Sequence, residues 1–117
     1  MVKLWEILVP RVRNNGKPYT TRHHRAWDKQ VIKITGGLTV LPPTVVGYWV
    51  GEEGTYKDTM IPVRIACTDK QMNEILDRTL VHYNDQEAIM AYVISNEVVI
   101  RNRWKEVTEE TYGLRQF

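Results

Sequence analysis

Residues 60–83, MIPVRIACTDKQMNEILDRTLVHY, decide the fold of this chain. Apolar side chains alternate in the first eight residues, which is typical of a β-strand with one buried face, here formed by Ile61, Val63, Ile65 and Cys67. Thr68 and Gln71 then form a capping box, in which each side chain satisfies a backbone donor of the other residue at a helix start. An apolar stripe at helical spacing follows, made by Met72, Ile75, Leu76, Thr79, Leu80 and Tyr83. The segment therefore predicts a strand followed at once by an amphipathic helix.

Toward the amino terminus the same succession of strand and helix is found. Residues 3–9, KLWEILV, are apolar and end at Pro10, which predicts a first strand. Thr20 or Thr21 can cap a helix whose stripe consists of His24, Trp27, Val31 and Ile34. Gly36-Gly37 ends that helix, because glycine readily adopts the left-handed conformation.

Further strands are predicted between and after the helices. Residues 38–41 and 48–50 form a ribbon with its tip at 51–54, and residues 88–94 and 97–104 form two more strands. The order is β-α-β-β-α-β with an extra C-terminal strand. This order predicts an α+β domain of the ferredoxin-like kind, an antiparallel sheet with two helices on one face. We assign residues 1–104 to this single domain and residues 105–117 to a C-terminal tail.

Helices on one face leave the opposite sheet face uncovered. That face carries part of the Leu4 and Leu8 side chains, Arg64 and alternate residues of the fourth strand. Because exposed apolar area favours association, we expect a homodimer formed through the uncovered sheet face.

Length and composition are those of one ordinary globular domain of 117 residues. Cys67 is the only cysteine, so no intrachain disulfide can form, and a cytoplasmic location is expected. No run approaches the roughly 20 apolar residues that span a membrane, so no membrane partner is expected.

The charge is unevenly distributed. Residues 1–33 contain eight Lys or Arg and two acids, a net +6, whereas the other 84 residues contain eight and twelve, a net −4. The predicted topology gathers basic residues on one rim of the sheet, at the start of the first helix, where an anion is favoured. The candidate ligand-binding residues are Arg11, Arg22, His23, Arg25, Arg101 and Arg103. A solvated basic surface is the alternative interpretation of the same charges.

Several kinds of site are not supported. The chain has no phosphate-binding glycine motif, no dinucleotide fingerprint and no nucleophile elbow, so we predict no catalytic residue and no cofactor. His23 and His24 are adjacent and would point to different sides of a helix, which argues against a metal site. The strand MIPVRIAC has no aromatic residue for stacking on bases, so sequence-specific binding of nucleic acid is not expected.

Four segments form a distinctive set: KLWEILVP (3–10), TRHHRAWD (21–28), GGLTVLPP (36–43) and MIPVRIACT (60–68). Together they resemble a family of small phage and bacterial proteins of uncharacterised activity. The resemblance implies a phage or mobile-element setting, where small proteins frequently bind host factors or signalling nucleotides.

The leading hypothesis is a non-catalytic homodimer that binds a small anionic ligand, for example a nucleotide, at the basic rim. Arg22, His23 and Arg25 would contact the charged group, and Arg101 or Arg103 would close over it. One alternative is a dimeric α+β-barrel enzyme that acts on a small metabolite with His23 or His24 as acid and base. The other is a module that binds a host protein through the sheet face or the tail.

Overall fold

A computed structural model describes residues 1–103. Two helices and five strands lie in this range. Their bounds are β1 Lys3–Pro10, α1 Thr21–Thr35, β2 Thr39–Val40, β3 Val45–Gly51, β4 Gly54–Cys67, α2 Asp69–His82 and β5 Ala91–Ser95. The predicted tail, residues 105–117, lies outside the described residues.

The strands form one antiparallel sheet in the order β2-β4-β1-β5, and β3 pairs with the first half of β4. Ile7 of β1 faces Val63 of β4 in register, and both side chains are buried. The predicted ferredoxin-like α+β fold is confirmed.

Both helices begin where local sequence signals place them. Thr20 caps α1 by accepting a hydrogen bond from the His23 backbone N–H (3.1 Å), and Thr68 and Gln71 form the predicted capping box of α2. Gly36 ends α1 at φ 90°, a left-handed conformation that other residues adopt only with strain. These caps fix where both helices begin and where α1 ends.

The core lies between the helices and one face of the sheet. Trp27 of α1 is 1% exposed, and its indole Nε1–H donates to the Thr79 hydroxyl of α2 at 2.9 Å. The Thr79 hydroxyl donates in turn to the Ile75 carbonyl at 2.6 Å. These two buried hydrogen bonds join the helices and help to fix the position of α1 on the sheet.

β4 is longer than predicted, because it starts at Gly54 rather than Met60. Its residues 54–59 lie beyond the stretch paired with β1 and form a ribbon with β3. We call residues 45–59 the β-arm. Its exposed large apolar side chains are Val45, Val46, Tyr48, Trp49, Val50 and Tyr56.

The sheet face opposite the helices carries a buried carboxylate. Glu6 is 8% exposed, accepts from Arg64 Nε at 3.1 Å and also accepts from the Tyr92 hydroxyl. The hydrogen bond to Glu6 raises the pKa of Tyr92. The charge on this face is thus paired within one chain.

The carboxyl-terminal part of the sheet differs from the sequence prediction. The predicted strand over 88–94 is Ala91–Ser95, and no strand forms over residues 97–103, where the extra C-terminal strand was expected. The apolar residues at 98–100 therefore pair with no strand within the described residues.

Candidate functional site

The first two turns of α1 carry one line of polar side chains. Thr21, His24, Arg25 and Asp28 follow one another at spacings of three, one and three residues, so they lie on neighbouring positions of one helix face. Trp27, in the same half of the helix, is buried in the core. The line therefore runs along the border between core and solvent.

This line forms one wall of an open cavity of about 280 Å³. The remaining lining is largely apolar and is supplied by the sheet, Trp27 and Tyr83, with Val9, Val40, Ile61 and Val63 from the strands. The volume is close to the lower end of the range of small-molecule sites. An apolar floor with a few polar groups on one wall is the usual composition of such sites.

His24 is oriented by a residue of the segment that follows α2. Its Nδ1 lies 2.6 Å from the hydroxyl of Tyr83, whose ring is fully buried. Burial raises the pKa of Tyr83, so its hydroxyl keeps its proton. Among the described residues that hydroxyl has no other acceptor, so we assign it as the donor to Nδ1. The Nε2 of His24 then carries the ring proton.

His24 is uncharged at neutral pH. Burial lowers its pKa from 6.5, and the neighbouring His23 and His82 lower it further. The Nε2–H group has no hydrogen-bond partner within residues 1–103 and stays available as a donor. His24 is thus a neutral hydrogen-bond donor on the cavity wall.

Asp28 is half-buried at the other end of the polar line. Burial raises its pKa from 3.8, and the positive charge of Arg25 partly opposes that rise. Its carboxylate has no hydrogen bond or ion pair in the described part of the chain. A carboxylate that is partly removed from water without a donor is costly, which favours a donor group supplied by a ligand.

Unlike His24, His23 bonds to the last residue of α2, His82. Its Nε2 lies 2.8 Å from the His82 carbonyl, and the Nε2 of His82 lies 2.7 Å from the His23 carbonyl. The two rings stack at 4.0 Å. His23 therefore satisfies a carbonyl at the end of α2 that has no helical partner. Burial and the neighbouring His82 lower the pKa of His23.

One carboxylate holds the segment before α1 in place. Asp85 accepts from the Asn14 backbone N–H at 2.9 Å and from the Tyr19 hydroxyl. The guanidinium of Arg13 lies 4.5 Å from the centre of the Tyr19 ring. Asp85, Tyr19 and Arg13 thus hold the segment before α1 outside the cavity.

The six predicted ligand-binding residues separate into three groups. Arg25 lines the cavity, while Arg22 is exposed on the neighbouring position of α1. Arg11 and His23 form the second group, whose side chains bond to other parts of the protein. Arg11 donates to the Thr44 hydroxyl at 3.0 Å, and its backbone N–H donates to the Thr59 carbonyl at 3.0 Å. His23 is occupied by its pairing with His82.

Arg101 and Arg103 form the third group. Ser95, the last residue of β5, faces Leu4 near the start of β1, which is the end of the sheet opposite Pro10. Their placement at the rim depended on a strand that returns over 97–104, and no strand is present over 97–103. Their contact with a ligand stays a prediction.

Sequence reasoning missed Thr21, Asp28 and Tyr83. The spacing of Thr21, His24 and Asp28 is a helical line that could have been read from the sequence. Tyr83 follows the other helix, 59 residues from His24, and only the fold brings the two together.

Residues 1–103 offer neither a metal-binding cluster nor a membrane-spanning helix. No group of three or more His, Cys, Asp or Glu side chains in this range could hold a metal ion. None of the helices described is both long and apolar enough to cross a membrane.

No protein-family model matches the chain, and no curated protein matches it. Solved structures do match it. The divalent cation tolerance protein CutA1 of Thermus thermophilus has a TM-score of 0.57 at 13% identity, over 88% of this chain and 89% of that one. The periplasmic divalent cation tolerance protein CutA of Archaeoglobus fulgidus has a TM-score of 0.61 at 10% identity, over 86% and 89%.

A phage SAM lyase in complex with S-methyl-5'-thioadenosine also has this fold. Its TM-score is 0.61 at 13% identity, over 90% of this chain and 93% of that one. At such low identity these similarities establish the ferredoxin-like fold and nothing about activity.

Proposed function

We propose that this protein is a self-associating, non-catalytic binder of a small anionic ligand, for example a nucleotide, which occupies the cavity beside α1. The cavity of about 280 Å³ is the observation that carries the proposal, because its apolar floor adjoins the Arg25 side chain and other polar groups with free hydrogen-bonding capacity.

The charges around the cavity mouth favour an anionic ligand. Arg25 lines the cavity, and Arg22 adds a second exposed guanidinium on the same turn. The first turn of α1 contains no acidic residue that would repel an anion. Guanidinium groups bind phosphate and carboxylate through two parallel hydrogen bonds.

A nucleotide is supported by a structural neighbour and by the sequence resemblance. The phage SAM lyase of the same fold holds S-methyl-5'-thioadenosine, a nucleoside derivative. The resemblance to small phage and bacterial proteins points to the same setting, and we assign this chain a phage or mobile-element origin. We also assign it to the cytoplasm, where its single cysteine, Cys67, stays reduced.

A non-catalytic role is favoured by the protonation of His24. A general base needs a lone pair directed at the substrate, but the Tyr83 hydroxyl occupies Nδ1 and leaves a proton on Nε2. His23 is held by the His82 carbonyl. His24 is therefore suited to fixing a ligand rather than to removing its proton, and His23 is already bonded within the protein.

Self-association is supported by apolar surface that one chain leaves bare. In the β-arm, Tyr48 is 69% exposed and Val50 is 80% exposed. A two-stranded ribbon is marginally stable by itself, so a covering partner would stabilise it. The uncovered sheet face has its charged pair, Glu6 and Arg64, already joined, which lowers the cost of burying it. We expect a homodimer that buries this face.

The test combines native mass spectrometry with calorimetry. Gently purified protein should appear as a dimer, and adenosine 5′-monophosphate (AMP) serves as the probe in isothermal titration at low ionic strength. Reversing Arg22 and Arg25 to Glu should abolish AMP binding and leave the fold intact. The matched control reverses Lys33 and Lys70, two exposed cations near the other end of α1, and should bind AMP as before. Equal AMP affinity in both double variants would refute the proposed site.

An enzymatic role is the second candidate, favoured by the cavity and by the likeness to a phage SAM lyase. Incubation with SAM, followed by mass spectrometry for S-methyl-5'-thioadenosine, tests it directly. Turnover that is lost in His24→Gln would establish this role in place of the non-catalytic one.

A further inference from the structure

The polar wall of the cavity offers two kinds of hydrogen-bonding groups in a fixed order. His24 Nε2–H, Arg25 and the Thr21 hydroxyl can donate, and they lie toward the start of α1. Asp28 only accepts, and it lies one turn further along the helix. A simple anion such as phosphate would satisfy the donors and leave the Asp28 carboxylate without a partner.

Asp28 makes the binding of a simple anion such as phosphate less favourable. A phosphate next to the Arg25 guanidinium would stand one helical turn from a second negative charge, which repels it. A ligand gains most when it places a hydrogen-bond donor against Asp28 and its anionic group against Arg25.

The spacing of the wall sets where the Arg25 and Asp28 side chains leave the helix. Arg25 and Asp28 are three residues apart on α1, so their Cβ atoms are about 5–6 Å apart. The whole line from Thr21 to Asp28 spans about 10.5 Å at the rise of an α-helix. A ribose 5-phosphate unit has its phosphate and its ring hydroxyls at opposite ends, so it can present the phosphate to Arg25 and the hydroxyls to Asp28.

The floor opposite the wall suits the rest of such a ligand. Val9, Ile61 and Val63 form an apolar surface against which the face of a sugar ring or a base can lie. Val40, on the edge strand, is exposed and borders the mouth, where a larger group would extend toward solvent.

Resting on the proposed function, we infer that the cavity recognises a ribose 5-phosphate unit. Its phosphate binds Arg25, with Thr21 and His24 donating to the same oxygens, and its 2′- and 3′-hydroxyls donate to Asp28. A ribonucleotide and a free sugar phosphate share this unit. Asp28 is then the residue that selects hydroxylated ligands over bare anions and over dideoxy nucleotides.

The test is a set of titrations by calorimetry with the unmodified protein. The probes are AMP, 2′,3′-dideoxy-AMP, ribose 5-phosphate and inorganic phosphate. AMP should bind about tenfold more tightly than 2′,3′-dideoxy-AMP, because the latter leaves the Asp28 carboxylate unsatisfied. Ribose 5-phosphate equal to AMP would identify a sugar phosphate as the source of the unit, and a weaker affinity would identify a ribonucleotide.

Asp28→Ala provides the second half of the test. Alanine is a good helix former and removes a carboxylate without a partner, so the variant should fold. It should bind AMP and 2′,3′-dideoxy-AMP equally, whereas Asp77→Ala, on the exposed surface of α2, should keep the tenfold difference.

The outcomes separate this inference from the proposed function. Equal affinities of AMP and 2′,3′-dideoxy-AMP for the unmodified protein would overturn the role of Asp28 and leave anion binding intact. Inorganic phosphate that binds as tightly as AMP would also overturn it. No saturable binding of AMP would overturn the proposed function itself.

Discussion

Replacing Thr79 by valine tests how α1 is held in position on the sheet. Thr79 is fully buried, and its hydroxyl accepts from the Trp27 Nε1–H at 2.9 Å while donating to the Ile75 carbonyl. Valine has nearly the same shape, so no cavity forms. The Ile75 carbonyl keeps its helical partner, but the indole N–H is left buried without an acceptor.

The cost follows from this single unsatisfied donor. Leaving a buried donor unpaired costs about 1–3 kcal/mol, so we expect the free energy of unfolding to fall by about 2 kcal/mol. The measurement is equilibrium urea unfolding at one fixed protein concentration, because association would otherwise change the result.

Thr35→Val is the matched control for Thr79→Val. The Thr35 hydroxyl also donates to a carbonyl four residues earlier, that of Val31 at 3.0 Å, but no buried donor depends on it. Its change should lie within about 0.5 kcal/mol. Equal costs for the two valine variants would refute the claim that the Trp27–Thr79 hydrogen bond fastens α1 to α2.

Three further predictions concern pH, thiol chemistry and association. Burial lowers the pKa values of His23 and His24 from 6.5, so the unfolded chain binds more protons, and the free energy of unfolding should fall between pH 7.5 and 5.5 in urea titrations; a flat profile would contradict this. Burial raises the pKa of the Cys67 thiol to about 11, so iodoacetamide at pH 8 should label it only after unfolding, and rapid labelling of the native protein would contradict its burial. Val50→Lys, at an exposed position of the β-arm, should leave the monomer fold intact; if the β-arm is covered in the dimer, light scattering should show the dimer weakened, and an unchanged dimer would place the interface elsewhere.

The parts of the fold that depend on local chemistry were predictable. Thr20 and Thr68 cap the two helices because each hydroxyl bonds a backbone N–H three residues later, a signal that lies within four residues of sequence. The ferredoxin-like order follows from these helices and the apolar runs between them.

Strand extent was not predictable in the same way. β4 extends to Gly54 because β3 pairs with it residue by residue, although the segment GTYKDT has no buried face of its own. Conversely, the apolar residues at 98–100 form no strand within the described residues. The length of a strand depends on how far a neighbouring strand pairs with it, and which strands become neighbours depends on the packing of the whole sheet.

The sequence placed several candidate residues at the start of α1, beside which the cavity lies. Of these residues, Arg25 lines the cavity. The states of His23 and His24 depend on His82 and Tyr83, which lie 59 residues away in sequence in both contacts. The burial and the tautomer of each histidine are set by these tertiary contacts. Sequence spacing alone suggested that His23 was the freer of the two, whereas in the structure His23 is bonded to His82.

Anion binding in the cavity beside α1 is tested by titrating ¹⁵N-labelled protein with AMP and recording two-dimensional NMR spectra. Saturable shifts should concentrate on the amides of residues 21–28, with smaller ones at Val9 and Val63 on the cavity floor. Shifts confined to the β-arm or to the sheet face around Glu6, or none at millimolar AMP, would contradict the assignment of the cavity as an anion-binding site.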